Sequence, residues 1–405
     1  MPRQDFKPPK INGVVLGIAN CFLPIALRAR QVVGVQFQER DLDKLRALKN
    51  ERLVILPNHP TNTEPAILFK LGRKVKQPFH FVACREAFDH IGGFWGWLIQ
   101  RLGAYSLVRG ALDRQSFAMT KQLLAEPASK LVIFPEGEVY SQNDSLLPFQ
   151  SGVIQLAFWG LEEARKKDPA ADLKLLPIAV RYCFVQEMAT EISSSIERLE
   201  RAVALPISSD DNYLRVRRIG ELVVAKLESQ FELKPSPENT LGERMDVIKR
   251  TQLEKAAEIA KVKTKGGPIA EEMRMVINAV HKVTDDPTSA KTDYDRRLWE
   301  EARNHIQPAL HELDRLANWI AVYDGYVAAS PTVERMVHLL VRMEKEVLGQ
   351  VVLKGKQQAN VRLADPISLA EHWDAYRSDK RETVAKITRE CESKVQSLLV
   401  ELGNP

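Results

Sequence analysis

Between residues 30 and about 185, short apolar runs alternate with amphipathic segments, and this alternation restricts the fold more than any other feature. RQVVGVQF, RLVILPN, PFHFVAC, AYSLVR, KLVIFPEG and LKLLPIAVRY read as strands by their length and apolar content. Between them, RDLDKLRALKN, TEPAILFKLG, GFWGWLIQRLG, DRQSFAMTKQLLAE and SGVIQLAFWGLEEARKK carry apolar residues at three and four spacing, the helical period. In TEPAILFKLG, Gly72 stands where a C-terminal cap is expected to stop the helix. The pattern predicts an α/β fold, a mainly parallel sheet flanked by helices. Ligands of such sheets bind beyond the C-terminal ends of the strands. His59 and the PEG triplet at 135–137 both fall at such ends.

Past residue 185 the texture changes to long amphipathic helices separated by breaks such as LKPSPENT, TKGGP and TDDPTSAKTD. No fixed period relates these helices, so the region is not a repeat array. Strand character returns at KQQANVRLADPISL, residues 356–369, before a last helix, RETVAKITRECESKVQSLLVEL. An isolated strand must pair with something, and the edge of the preceding sheet is its economical partner. The helical block then becomes an all-α insertion of about 160 residues before the last strand. This divides the chain into an N-terminal segment (1–30), a discontinuous α/β domain (31–185 and 351–405) and a helical insertion (186–350). The insertion is too charged to be transmembrane; it is either a cap on the α/β domain or a platform for a protein partner.

The N-terminal segment places INGVVLGIANCFLPIALRAR after the basic MPRQDFKPPK. Its apolar part, Ile11 to Leu27, covers 17 residues and is interrupted by Asn12, Asn20 and Pro24. A spanning helix needs about 20 mostly apolar residues, so the segment falls short. It also lacks the small-residue cleavage site of a secretory signal. With Lys7, Lys10, Arg28 and Arg30 flanking it, it suits an amphipathic helix lying among the headgroups of an anionic membrane, or a helix packed on the protein's own core. Overall, 58 Lys and Arg against 53 Asp and Glu give a net charge of +5, which is no footprint of nucleic-acid binding. Cys21, Cys84, Cys183 and Cys391 are far apart and form no CxxC pair, so reduced thiols are expected and no metal site is implied.

Four short blocks carry the chemistry: NHPTNTEP (58–65), GAYSLVR (103–109), FPEGEVY (134–140) and LLPIAV (175–180). His59 is a candidate general base, because an imidazole changes charge near neutral pH without special tuning. Glu64 could accept a hydrogen bond from its other ring nitrogen and stabilise the imidazolium. Arg109 follows a strand and offers a forked donor to a phosphate or carboxylate. The PEG turn sets the Glu136 carboxylate and backbone amides beside Gly137, which permits close approach. Taken singly, each block also has a plain structural reading as a turn residue, an edge charge or a loop. A metal reading of His59 and Glu64 lacks a third ligand at helical spacing, and no G-x-S-x-G elbow supplies a hydroxyl nucleophile.

Taken together, His-x4-acid, Gly-x5-Arg, Phe-Pro-Glu-Gly and a Pro-bearing strand, in that order, resemble the four-block signature of the glycerolipid acyltransferases. The best known members of that family are the 1-acylglycerol-3-phosphate acyltransferases. The resemblance covers residues 30 to 185, and the closing strand and helix also look like the family's. It implies that His59 deprotonates an acceptor hydroxyl, which attacks the thioester of acyl-CoA or acyl carrier protein. Glu64 would orient His59. Gly103 and Arg109 would bind the acceptor headgroup, with Asn58, Phe134, Pro135, Glu136 and Gly137 around that pocket and Pro177 near the acyl channel. No cofactor is implied beyond the acyl donor. The implied partners are a membrane lipid acceptor and the cytoplasmic face of a membrane, held peripherally or monotopically.

The chain departs from the family pattern twice. Glu64 stands where the family usually has Asp, which moves the carboxylate by about 1.5 Å; the late acyltransferases of lipid A assembly resemble this chain there. Glu138-Val139 replaces the usual Thr-Arg or Ser-Arg after FPEG. This swaps a cation for an apolar residue and adds a negative charge beside the implied phosphate site, which disfavours a dianionic monoester, so an acceptor of lower charge is expected. The alternative is a catalytically weak member that acts as a membrane or protein scaffold through its insertion. A third possibility is a thioesterase-like hydrolase.

Overall fold

In LVILP, β2 (Leu53–Pro57), all five residues are buried, as required of a strand covered on both faces. The computed structural model describes residues 6–108, 113–139, 143–235, 238–284, 292–320, 322–328 and 331–403. Around β2 lie β1 (Val32–Phe37), β3 (His80–Cys84), β4 (Ala104–Leu107), β5 (Lys130–Val132), β6 (Lys174–Phe184), β7 (Gln357–Leu363) and β8 (Ile367–Ser368). They form one sheet in the order β1-β7-β6-β2-β5-β3-β4, with β8 antiparallel to β6. β2 runs parallel to both β5 and β6, as do β3 to β4 and β1 to β7.

Side-chain alternation splits the core into two layers. Val54 and Leu56 of β2 and Leu175 and Ala179 of β6 face one layer, with α5 (Arg114–Ala125), α6 (Ser151–Lys167), α13 (Trp373–Ser378) and α14 (Lys380–Glu401). Leu53, Ile55, Leu176, Ile178, Val180 and Tyr182 face the other, with α1 (Gly13–Ala29), α2 (Glu39–Ala47) and α3 (Glu64–Lys74). The period of two in the strands and of 3.6 in the helices thus produces an α/β/α sandwich.

Two local expectations are corrected. Gly72 does not stop a helix: α3 runs on to Lys74, and the glycine lies inside it. A Cβ there would come within 2.8 Å of the Gln77 carbonyl and press on the Phe79 ring, so close approach is what requires glycine. Nor does β7 extend the sheet edge. It is inserted between β1 and β6, leaving β1 outermost.

The chain divides into two compact units. One comprises the described residues up to Cys183 and from Gln357 onward; the other is Phe184–Lys356. The second holds α7 (Ala189–Ala202), α8 (Asn212–Gln230), α9 (Leu241–Ile259), α10 (Ile269–Thr284), α11 (Asp293–Trp319) and α12 (Val333–Leu348). Part of its core is built from Ile196, Leu199, Ile219, Ile248 and Leu340. Two buried carboxylates there are paired: Glu200 takes the fork of Arg215 at 2.9 and 2.7 Å, and Glu228 that of Arg244 at 2.7 and 2.6 Å. Such bidentate pairing offsets the desolvation of each ion.

In the sheet-bearing unit, α1 is capped by Asn12, whose Oδ1 accepts the N–H groups of Val14 and Val15. One stripe, Leu16, Leu23 and Leu27, is buried on the core, while Val14, Ile18, Phe22 and Ile25 on another stripe are 72%, 54%, 62% and 64% exposed. Chain segments beside it join it to α4 (Phe94–Arg101), with Lys10 N–H donating to the Gln100 carbonyl and Asn12 N–H to that of Arg101. That helix also exposes Phe94, Trp95 and Trp97, next to exposed Ile91. Among the described residues, no helix is long and apolar enough to cross a membrane.

Candidate active site

The site begins where β2 runs out. Pairing of β2 with β6 ends at Pro57, opposite Ile178. The side chain of Asn58 then continues the ladder: its Nδ2 donates to the Val180 carbonyl at 2.9 Å, and its Oδ1 accepts the Val180 N–H at 2.7 Å. Fully buried and bound in this way, Asn58 fastens the turn to β6. His59, next in the chain, is thereby held at the C-terminal end of the sheet.

Glu64 is the first residue of α3, so the helix fixes its backbone, and its carboxylate folds back into the turn. There it is fully buried. Its Oε2 lies 2.7 Å from His59 Nδ1. Its Oε1 accepts the Thr61 hydroxyl at 2.6 Å and the Tyr182 hydroxyl, and the Thr61 N–H reaches both oxygens at 3.2 Å. A helix N-terminus adds a favourable potential for this anion. Paired with a carboxylate, Nδ1 carries the ring proton, leaving Nε2 as the acceptor. The Phe134 ring stacks on the imidazole, with centroids 3.9 Å apart and planes 21° apart.

A second carboxylate grips the same residue from behind. Glu136 Oε1 accepts the His59 backbone N–H at 2.7 Å, and its Oε2 accepts the Leu147 N–H at 3.0 Å. Burial pushes the Glu136 carboxyl up to about 7, against the pull of these two N–H bonds and of His59. The turn that aims it needs Gly137, at φ +77°. A side chain there would collide with the Gln150 amide, which itself donates to the Glu136 carbonyl at 3.2 Å. Pro135 is buried in the same turn, and its carbonyl accepts the Gln150 N–H at 2.8 Å.

Thus Asn58, His59, Glu64, Phe134, Pro135, Glu136 and Gly137 converge. Pro177 is buried within β6 opposite Leu56, one register step before the site. Gly103 immediately precedes β4, so it lies at the end of the parallel sheet away from His59. There its φ of +102° and the Phe79 carbonyl, 2.6 Å from where a Cβ would stand, demand glycine. Arg109 lies outside the described residues.

Sequence reasoning missed Thr61, Tyr182 and Asn143. Asn143 repeats the Asn58 device two residues along β6, its Nδ2 donating to the Tyr182 carbonyl at 2.6 Å and its Oδ1 accepting the Tyr182 N–H at 2.7 Å. One signal for Tyr182 was available: on a mostly apolar buried strand, a tyrosine hydroxyl must find a partner.

The fold and site define an α/β domain that presents a carboxylate-paired histidine at the C-terminal ends of parallel strands. Residues 36–181 match the family model described as Acyltransferase, the family of the 1-acylglycerol-3-phosphate acyltransferases. Those residues therefore carry an acyltransferase-family domain, which supports an acyltransferase function. No curated protein matches the chain.

Proposed function

We propose that the protein moves a fatty acyl group from acyl-CoA or acyl carrier protein to the hydroxyl of a glycerolipid or lysophospholipid, with His59 as general base. The observation that carries this reading is the 2.7 Å contact between His59 Nδ1 and Glu64, which leaves Nε2 to accept a proton. As the acceptor oxygen attacks the thioester carbonyl carbon, its proton passes to Nε2. The tetrahedral intermediate collapses with cleavage of the C–S bond, and the imidazolium returns the proton to the leaving thiolate. Glu64, buried against the ring, stabilises the transient imidazolium.

Glu138-Val139 after the FPEG turn favours an acceptor of lower charge than lysophosphatidate, such as a lysophospholipid diester or another lipid alcohol. The exposed apolar stripe of α1, beside Phe94 and Trp97 of α4, supports peripheral contact with the membrane that holds the acceptor. Arg101, whose guanidinium lies 4.1 Å from the centre of the Trp97 ring, supplies a cation at that surface.

The test is release of free thiol from acyl-CoA in the presence of mixed lysolipids. Acceptor-dependent release by the wild type and its loss in His59→Ala support the reading. Release without acceptor would identify a hydrolase instead. Equal turnover on lysophosphatidate and on a lysophospholipid diester would remove the charge preference.

A further inference from the structure

Glu64 is held by more than its histidine. Tyr182 comes from β6, 118 residues away in sequence, and is 2% exposed. Asn143 grips its backbone on both N–H and C=O, so the part of β6 that carries the ring is held in place. That hydroxyl and the Thr61 hydroxyl end on the same carboxylate oxygen, Oε1, and the two hydroxyls lie 3.2 Å apart. Only Oε2 is turned toward His59. Burial and the neighbouring charge of Glu64 hold the Tyr182 phenol well above its ordinary value, so it remains a donor.

We infer that Tyr182, with Thr61, is a positioning residue for the reaction proposed above: the two hydroxyls pin Oε1 so that Oε2 keeps the His59 ring in its productive orientation. A glutamate carboxylate has one more rotatable bond than an aspartate, and two donors on one oxygen remove that freedom. A shorter acid would draw the carboxylate back by about 1.5 Å, one carbon–carbon bond, and out of reach of Tyr182. The cradle and the length of Glu64 are therefore matched to each other. Tyr182 touches no reacting atom and acts through Glu64.

The test is a double-mutant cycle with Tyr182→Phe, Glu64→Asp and the pair, read by thiol release from acyl-CoA with mixed lysolipids. Tyr182→Phe should lower kcat by about tenfold to a hundredfold, the worth of a hydrogen bond to a buried charge, with KM for acyl-CoA unchanged. In the Glu64→Asp background the same substitution should cost less than about threefold, because the bond is already lost. Tyr376→Phe removes a different buried hydroxyl, one bonded to Gln155 at 2.6 Å, and should leave kcat as it is. Losses that multiply in the double variant, or a wild-type kcat in Tyr182→Phe, overturn the inference. If Tyr182→Phe does not fold, Thr61→Val takes its place as a single variant and should likewise lower kcat with KM for acyl-CoA unchanged, a wild-type kcat overturning the inference.

A second readout needs no substrate and so stands apart from the acyltransfer reading. In protein labelled with ¹⁵N-histidine, the His59 Nδ1–H resonance should move in Tyr182→Phe and stay in Tyr376→Phe. An unmoved resonance overturns the positioning role even in an active enzyme. A moved resonance in a protein that releases no thiol supports the cradle while the reaction proposed above fails.

Discussion

Two turns meet at His59, and each brings one buried glutamate, yet the two acids are held in different ways. Glu64, from the turn between β2 and α3, is bonded mainly by side chains: the His59 ring and the Thr61 and Tyr182 hydroxyls. Glu136, from the turn after β5, is bonded by main chain alone, the N–H groups of His59 and Leu147. The first arrangement sets the direction and tautomer of a ring; the second sets where the residue bearing that ring lies. Orientation and placement are thus separate tasks, given to carboxylates of the same length.

The sharpest way to break this division is to remove what both acids serve. His59→Ala should cut thiol release by about a hundredfold to ten-thousandfold, the range for loss of a general base, while both turns stay folded. Glu136→Gln should act on stability rather than on the ring. One of the two N–H groups would then face an amide N–H₂, and the fold should lose about 1–3 kcal/mol, measured by denaturant unfolding.

Glu136 also predicts a pH dependence. Its folded value of about 7 lies above that of the unfolded chain, so between the ordinary carboxylate range and about 7 the folded state holds the extra proton. Its contribution to stability therefore falls as pH rises through that window. Thermal unfolding followed across the window should show a decline in the wild type that flattens in Glu136→Gln. An unchanged slope would mean the carboxylate is not what titrates. The smallest effect on chemistry is expected away from both turns. Ile18→Ser with Phe22→Ser should weaken co-sedimentation with anionic vesicles and leave turnover on a soluble short-chain acceptor unaltered.

The contrast between the turns also marks what the sequence made legible. Alternating strand and helix periods were enough to place β1 to β6 and their helices, because both periods are local. The position of β7 was not, since an inserted helical unit separates it from its neighbours β1 and β6, and sheet order carries no local signature. Gly72 was misjudged for the same reason: the Gln77 carbonyl and the Phe79 ring that exclude a side chain appear only after the chain has folded back. The His59–Glu64 pair could be read directly, as its partners are five residues apart in one turn. Tyr182 could not, because only the pairing of β6 with β2 brings it to Glu64. The inward aim of Glu136 likewise depends on a partner 77 residues earlier.

The central claim, that Glu64 makes His59 a directed base rather than a histidine in a turn, is tested most directly by the turnover of Glu64→Gln with His59 intact. An amide at that position presents N–H₂ as well as C=O to Nδ1 and no longer fixes the tautomer. With acyl-CoA and a saturating lysophospholipid, kcat should fall by about a hundredfold or more, with little change in KM. A variant that turns over at the wild-type rate would contradict the account.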